Sequence, residues 1–588
     1  MRAALNPYKL VAEQHLHESG SADMRMIPIA AAVWLGAFCG QAELNHTLRY
    51  IVAIPLATVV LCLPALLLGA CYHQNCSRIV VSRKMCRLLI WCRRSAPTVV
   101  VMLAACAAST GASVAWSTVQ RSDPAYQLAA ARNSTNSTII RVLSPITVSA
   151  LRSSTCRADV RVMSVQQHHQ GAIAMPSRLR ARIVGDDEVC EMRRGAEYRI
   201  VVQLSISEFD NGVQLEAVSP ATRSSVSIVS EPHILWRVTN LVQQRFLAIS
   251  STLSEQGRVL VPGLTLGVLG QEAVAHTGQT FSTLDPAYAE MVKDQFKRSG
   301  IMHLMVVSGG HFLLLSSLIH TVLKGLLLHR AVIAGALVFG ACMLTAVVYP
   351  SDSVWRATTM SVLGALAVLK GRRAQVLSQL SWTVVLLLLS NPHLSTSYGF
   401  ALSCAAVLGI VTVGSAITSI CERVIGSFAA GQLGIAVGAQ MFTLPIQLLM
   451  DPEIPILSVP TNIVVAPAVN LATIFGLLAL STACFLPKLA YGCAWLSSIG
   501  TSLMYDCAKW LSDTEISTMT WLPGWQGVIL MLLIELLCIA IVISLHHITT
   551  RRRCLRDQAG NHEGIAYRRS VRSSVLFWIR ESIEMFEW

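Results

Sequence analysis

The stretch HLMVVSGGHFLLLSSLIH (303–320) sets His303, Ser308, Gly309, Gly310 and His311 in a run otherwise built mostly of Leu, Met, Val, Ile and Phe. Ser308 and His311 stand three residues apart, one helical turn, so a hydroxyl and an imidazole come within reach of each other. Two chemistries fit that spacing. In the first, Ser308 is a nucleophile and His303 or His311 its base. That chemistry also needs an acid to orient the base and donors for an oxyanion, and the motif holds neither. In the second, the polar groups line a path. Polar residues inside a membrane need partners or water, and they mark a pathway or a helix contact. Gly309-Gly310 then breaks the helix or admits another backbone, and His303, Ser308 and His311 offer hydrogen bonds to a passing strand. Close helix packing through the glycines and serine, with the histidines bonded to nearby backbone, satisfies the same residues.

Further polar groups interrupt other apolar blocks. Arg356 stands at the start of one and either contacts an anion or snorkels to the interface. Asn391, Gln440 and Asn462 serve as helix-contact hydrogen bonds or as substrate contacts, and Pro392, Pro445, Pro460 and Pro467 mark breaks or kinks. No metal and no cofactor is expected. The pairs His15/His17 and His168/His169 lack the acid and further ligands of a metal site, and there is no GxxxxGK[ST] phosphate loop to suggest an ATPase.

The elements that must hold these groups are membrane helices. The chain has 588 residues, 53% hydrophobic and only 13% charged. Its mean hydropathy is +0.54. This is the composition of a polytopic α-helical membrane protein, not of a soluble enzyme. Apolar runs of about 17–25 residues recur, enough for about twelve transmembrane helices. Three fall near 26–42, 50–72 and 97–117, within an N-terminal block 1–120, and the rest fall within 299–548. Basic clusters set the orientation: Arg78 to Arg94 after the second span, Lys370, Arg372 and Arg373 between two later spans, and Arg551, Arg552 and Arg553 after the last. Placing all three in the cytoplasm puts both termini inside, leaves a basic cytoplasmic tail at 549–588, and sets the block 121–232 outside. The net charge of +13 is partly this topology signal and is no evidence by itself for nucleic acid.

The block 121–232 reads as one small extracytoplasmic β-barrel, OB-like, because short runs with partial period-2 alternation recur between polar breaks. In SRLRARIV, Arg178, Arg180 and Arg182 share one strand face, while Leu179, Ala181 and Ile183 share the other. Between residues 141 and 185 there are seven arginines and one acid, Asp159. Such a face suits a phosphate backbone, anionic headgroups or plain solvent, and few aromatics are present for base stacking. Of 17 cysteines, only Cys156 and Cys190 lie in this block, the natural disulfide pair for an oxidising compartment. The segment 233–298 then supplies two amphipathic stretches, 235–253 and 284–300, suited to the membrane interface.

LVPGLTLG (260–267) followed by SGIMHLMVVSGGHF (299–312) resembles the signature of the ComEC competence family, the inner-membrane channel for transforming DNA. Three more blocks resemble that family in the same order: WRATTMSVLGALAVLKGRR (355–373), SNPHLSTSYGFALSCAAVLGI (390–410), and AQMFTLPIQLL with IPILSVPTNIVVAPAVNL (439–471). The glycine turn here continues GVLGQEAVAHTG, where the family usually runs on into an acidic residue, and no HxHxDH motif of a metallo-β-lactamase-like nuclease domain is present. The resemblance implies a channel, not an enzyme, that passes single-stranded DNA inward across the cytoplasmic membrane during natural transformation. Its path residues would be His303, Ser308, Gly309, His311, Arg356, Asn391, Gln440 and Asn462. Implied partners are membrane lipid, an outer DNA receptor, a cytoplasmic DNA translocase, single-strand-binding proteins and a separate nuclease. A small-solute permease and an intramembrane hydrolase using Ser308 are the alternatives; no inverted repeat of two similar halves supports the first.

Overall fold

A computed structural model of the chain describes residues 24–41, 83–131, 135–149, 152–167, 173–207, 212–217, 226–274, 286–372, 374–514 and 517–538. The expected span near 50–72, the tail 549–588, the histidines at 15, 17, 168 and 169, and the arginines at 78, 373 and 551–553 lie outside these residues.

Alternating side chains close the middle block into a barrel. Its strands are β1 (Thr135–Val142), β2 (Thr147–Ser149), β3 (Arg152–Gln167), β4 (Met175–Pro176), β5 (Arg180–Gly185), β6 (Glu197–Ile206), β7 (Val213–Ala217) and β8 (Ser227–Ser230). Five of them form a ring: β1–β3–β5–β7–β6, with β6 returning to pair with β1. The β5–β7 pairing is parallel and the other four in the ring are antiparallel. With a short helix, Asp187–Cys190, between β5 and β6, this is an OB-like barrel. Ile140, Val160, Val162, Ile183, Ile200, Val202 and Leu215 fill it with no exposure. Cys156 on β3 and Cys190 at the end of the short helix are disulfide-bonded, with Cα atoms 5.2 Å apart.

One loop of the barrel bonds directly to helix Arg330–Val347. Arg194, 7% exposed, donates from Nε to the Leu143 carbonyl (2.9 Å) in the barrel and from Nη1 to the Ala346 carbonyl (2.8 Å). Its guanidinium lies 4.1 Å from the Trp236 ring centroid. Burial pushes its pKa down to about 10, which still leaves it charged at neutral pH. Ala346 sits in the last turn of helix Arg330–Val347, where carbonyls lack intrahelical partners and a cation is favoured. Gln243 donates to the next carbonyl, that of Val347, at 2.5 Å.

Gln243 belongs to helix Ile234–Ser250, which faces the protein with Thr239, Asn240, Gln243, Phe246 and Leu247. Ile234, Leu235, Val238 and Leu241 are exposed on its other side. Its inward amides have protein partners, Asn240 donating to the Arg194 carbonyl (3.1 Å) and Gln244 to that of Val274 (3.2 Å). The second expected interfacial stretch forms helix Pro286–Arg298.

Among the described residues, five helices are long and apolar enough to cross a membrane: Thr98–Ser122, Arg330–Val347, Tyr398–Glu422, Ser427–Met450 and Ser458–Thr482. Three shorter apolar helices, Ile27–Gln41, Val376–Ser390 and Gly524–Cys538, accompany them. This establishes a membrane protein with several apolar helices; the expected count of about twelve is not reached among the described residues. Helices Gly309–Gly325, Asp352–Leu369 and Pro487–Ser512 complete the bundle. The basic run from Arg83 to Arg94 is not a loop: it forms the first turns of helix Arg83–Ser122.

Glycines set the closest crossing. Helix Tyr398–Gly409 continues through a π-helical turn, Ile410–Gly414, and packs on helix Ser427–Met450. A Cβ on Gly414 would stand 2.6 Å from the Gly434 carbonyl oxygen, and one on Gly438 2.7 Å from that of Gly409. Gly434 and Gly438 form a GxxxG pair, which lets two membrane helices touch backbone to backbone.

Candidate functional site

The segment Ser299–Phe312 is not one helix. Helix Pro286–Arg298 ends at Gly300, whose φ of +74° only glycine adopts readily. A short 3-10 turn, Met302–Met305, and an extended link follow, and a new helix starts at Gly309. The expected break is therefore a helix N-terminus, with Gly309 and Gly310 as its first two residues. Ser308 caps it. Its Oγ accepts from Gly310 N (3.3 Å), and its own N–H donates to His311 Nδ1 (3.2 Å). His311 takes the part that Glu or Gln plays in an ordinary capping box. With Nδ1 accepting, a neutral ring carries its proton on Nε2, and that atom is buried without a well-formed hydrogen bond.

The LVPGLTLG stretch backs this segment. A Cβ on Gly263 would be 2.7 Å from the Met305 carbonyl oxygen, and one on Gly267 3.5 Å from the Val307 side chain. Gly267, at φ +83°, caps helix Glu255–Leu266.

Arg356 comes to the new helix start from helix Asp352–Leu369. Val307 and Phe312 pack in one cluster with Val354 and Ala357, and Ser353 Oγ donates to the Val307 carbonyl (3.2 Å). The guanidinium is thereby set over the first helical residue: a Cβ on Gly309 would be 2.8 Å from Arg356 Nη2. Arg356 is 5% exposed. Nε donates to Ser403 Oγ (2.7 Å) and Nη1 to Met360 Sδ (3.1 Å). No carboxylate pairs with it among the described residues. Asp352, one turn earlier, accepts instead from Ser397 Oγ, the cap of helix Tyr398–Gly409.

One helix N-terminus, that of Gly309–Gly325, thus meets a guanidinium that has no counter-ion among the described residues, while the starts of helices Asp352–Leu369 and Tyr398–Gly409 meet each other through Asp352 and Ser397. Helix N-termini carry partial positive charge, so this corner of the bundle favours an anion. Taking a guanidinium out of water without an ionic partner costs several kcal/mol. Structural packing would be served at lower cost by an apolar residue.

A second polar group closes around Gly300. Ser458 Oγ donates to Gln440 Oε1 (3.0 Å), with the Gly300 carbonyl 3.4 Å away, and Asn462 Nδ2 donates to the Ser458 carbonyl (2.8 Å). A Cβ on Gly300 would come 2.5 Å from Ser458 Cβ. His303 lies exposed three residues further on. The segment 300–311 therefore joins two sets of expected residues. Ser308, Gly309, His311 and Arg356 lie at one end, and Gln440 and Asn462 at the other.

Asn391 joins neither set. It ends helix Val376–Ser390 and leads into the turn Pro392–Thr396, which packs on the N-terminal helices. There Trp34 Nε1 donates to the Ser395 carbonyl (3.1 Å), and His393 meets Gln120 (3.2 Å). Sequence reasoning marked Gly300 as a helix stop but passed over Ser403 and Ser458. Ser403 and Ser458 lie within the motif blocks GFALS and ILSVPTN, which was the signal available.

On the barrel, Arg178, Arg180 and Arg182 are exposed, and Leu179, Ala181 and Ile183 are buried. Arg180 stands opposite Arg161 on β3, and Arg182 opposite Asp159 at 3.5 Å. The basic face therefore spans the second and third ring strands, with Arg157 also exposed on it.

Residues 287–546 match the family described as Competence protein. Over this segment the chain is similar to that family. The match takes in both ends of the 300–311 segment and every expected path residue, and it begins beyond the barrel. An uncharacterized protein of Aquifex aeolicus (strain VF5) is 30% identical over 253 residues, 42% of this chain and 55% of the relative. The chain thus spans about half the length of that curated relative. No solved structure matches. The apolar helices mark a membrane protein, and its segment 287–546 is similar to a competence family.

Proposed function

We propose that this protein is a channel that passes single-stranded DNA inward across the cytoplasmic membrane during natural transformation, and that it is not an enzyme. One observation carries the reading. A buried guanidinium, with no counter-ion among the described residues, lies against the glycine start of a helix. A phosphodiester oxygen is the missing partner. It would meet Arg356 and the Gly309 amide at the start of helix Gly309–Gly325, and one neutral amide and one cation bind it without the many contacts that would stall a strand. His303, Gln440 and Asn462 line the other end of the same segment.

The barrel lies outside the membrane on this reading, and its face of Arg157, Arg161, Arg178, Arg180 and Arg182 receives the strand. In an OB-fold the second and third strands form the nucleic-acid face, and they are the strands that carry these arginines. An outer DNA receptor, a cytoplasmic translocase, single-strand-binding proteins and a separate nuclease complete the system. The hydrolase alternative fares worse. The Ser308 Oγ is a helix cap, and the imidazole nitrogen nearest it is occupied by the Ser308 backbone N–H.

The test is uptake of labelled DNA into a DNase-protected cytoplasmic pool. Cells lacking the protein should accumulate none and cells restored with it should recover. Unchanged uptake in the deletion of a strain that takes up DNA overturns the channel reading.

A further inference from the structure

The donor face begun by Arg356 does not stop at that residue. Helix Val376–Ser390 follows helix Asp352–Leu369 after a link of residues 370–375, and the two pack together. Two of its hydrogen-bonding atoms, Gln379 Nε2 and Thr383 Oγ1, are buried and without a partner. They stand one turn apart on one helix face. Gln379 Nε2 lies 3.4 Å from the point where a Cβ of Gly364 would be. Gly364 follows Arg356 and Met360 along a single row of residues four apart.

Two side-chain nitrogens thus approach glycine backbone on neighbouring helices. A Cβ on Gly309 would displace Arg356 Nη2 from 2.8 Å, whereas one on Gly364 would meet Gln379 Nε2 in ordinary contact at 3.4 Å. In each case a side-chain nitrogen is laid against a helix backbone with a donor unspent. Both contacts involve helix Asp352–Leu369, one through Arg356 and one at Gly364, about 12 Å apart along its axis at 1.5 Å per residue. A buried amide left without a partner costs about 1–3 kcal/mol, so plain helix packing does not account for it.

We infer that Gln379 and Thr383 form a second, uncharged station for phosphodiester oxygens, further along the face that Arg356 opens. The inference rests on the DNA-path reading. The station's donors are neutral, so it hands the strand on without adding a second strong ionic hold. Gln379 and Thr383 are positioning residues for the strand; nothing reacts there.

The experiment uses the full chain in proteoliposomes, with Gln379→Cys and, as a reporter beside Arg356, Ser403→Cys. Each is treated with an anionic and a cationic water-soluble thiosulfonate, with and without an oligothymidylate, and the labelled peptide is identified by mass. The expected result is labelling of position 379 faster with the anionic reagent than with the cationic one, slowed by the oligonucleotide. Labelling at 403 but not at 379 means the seam is dry packing, which overturns this inference and leaves the channel reading standing. Equal labelling of 379 by both reagents, unaffected by the oligonucleotide, also overturns it. Absence of labelling at both positions removes the aqueous path and the channel reading together.

Discussion

Arg356 Nη2 occupies the space that a side chain on Gly309 would need, 2.8 Å from the point where its Cβ would be. Gly309→Ala therefore displaces the end of a flexible side chain and leaves the backbone in place. We expect normal membrane abundance and DNA uptake lowered by about tenfold, equivalent to ~1.4 kcal/mol. Gly310→Ala meets only Ser308 Oγ, at 3.4 Å, and should stay near wild type. Parallel uptake assays, normalised to protein in the membrane, check the contrast.

The arginine face of the barrel gives a second expectation. Arg180 lies across from Arg161, two like charges with no acid between them, whereas Arg182 has Asp159 at 3.5 Å. Arg180→Ala should weaken binding of an oligothymidylate by the purified full chain more than Arg182→Ala does. It should also make the salt dependence shallower, by about 0.7 in the log–log slope for each phosphate of a single strand that is no longer neutralised. Titrations at several salt concentrations read both quantities.

The Cys156–Cys190 bond ties β3 to the short helix that precedes the Arg194 loop. Its removal in Cys156→Ala/Cys190→Ala should destabilise the barrel by about 2–4 kcal/mol. Hydrogen exchange of barrel peptides in the full chain is the measurement. Peptides of helix Ser458–Thr482 should be unchanged.

Glu272 gives a pH dependence outside the membrane helices. Burial raises its carboxyl pKa above the ordinary value of 4.5, against the weaker pull of Lys293 and Arg157. The folded state thus favours the proton more than the unfolded chain does. The contribution of this group to stability should be greatest below pH 4.5 and decline as pH rises through the raised value, where the buried carboxylate must ionise. Glu272→Gln should melt higher than wild type at pH 7, and the gap should close as pH falls toward 4.5.

Much of this was legible in the residues, for physical reasons. Alternation along SRLRARIV places Arg178, Arg180 and Arg182 outward because the strand period is two, and one buried face fixes the register. Cys156 and Cys190 were the natural pair because the other cysteines fall in or beside apolar runs. The helix start at Gly309 was harder to see. Gly-Gly reads as a breaker, and a capping box with His in place of Glu carries no familiar signal. The basic run Arg83–Arg94 reads as a loop from its charge, but charge reports the side of a membrane and not backbone conformation. Asn391 sits in a motif block yet packs with the N-terminal helices, a separation that only tertiary packing decides. The unmet donors of Gln379 and Thr383 had no sequence signal, since their significance lies in Gly364 across the helix pair.

The central claim is that Arg356 meets a phosphodiester. The most direct measurement compares Arg356→Gln and Arg356→Lys in the labelled-DNA uptake assay at equal membrane abundance. The account predicts near-complete loss for Gln. It predicts partial activity for Lys, which keeps the charge but not the fork that also holds Ser403 and Met360. Uptake by Arg356→Gln equal to wild type would contradict it.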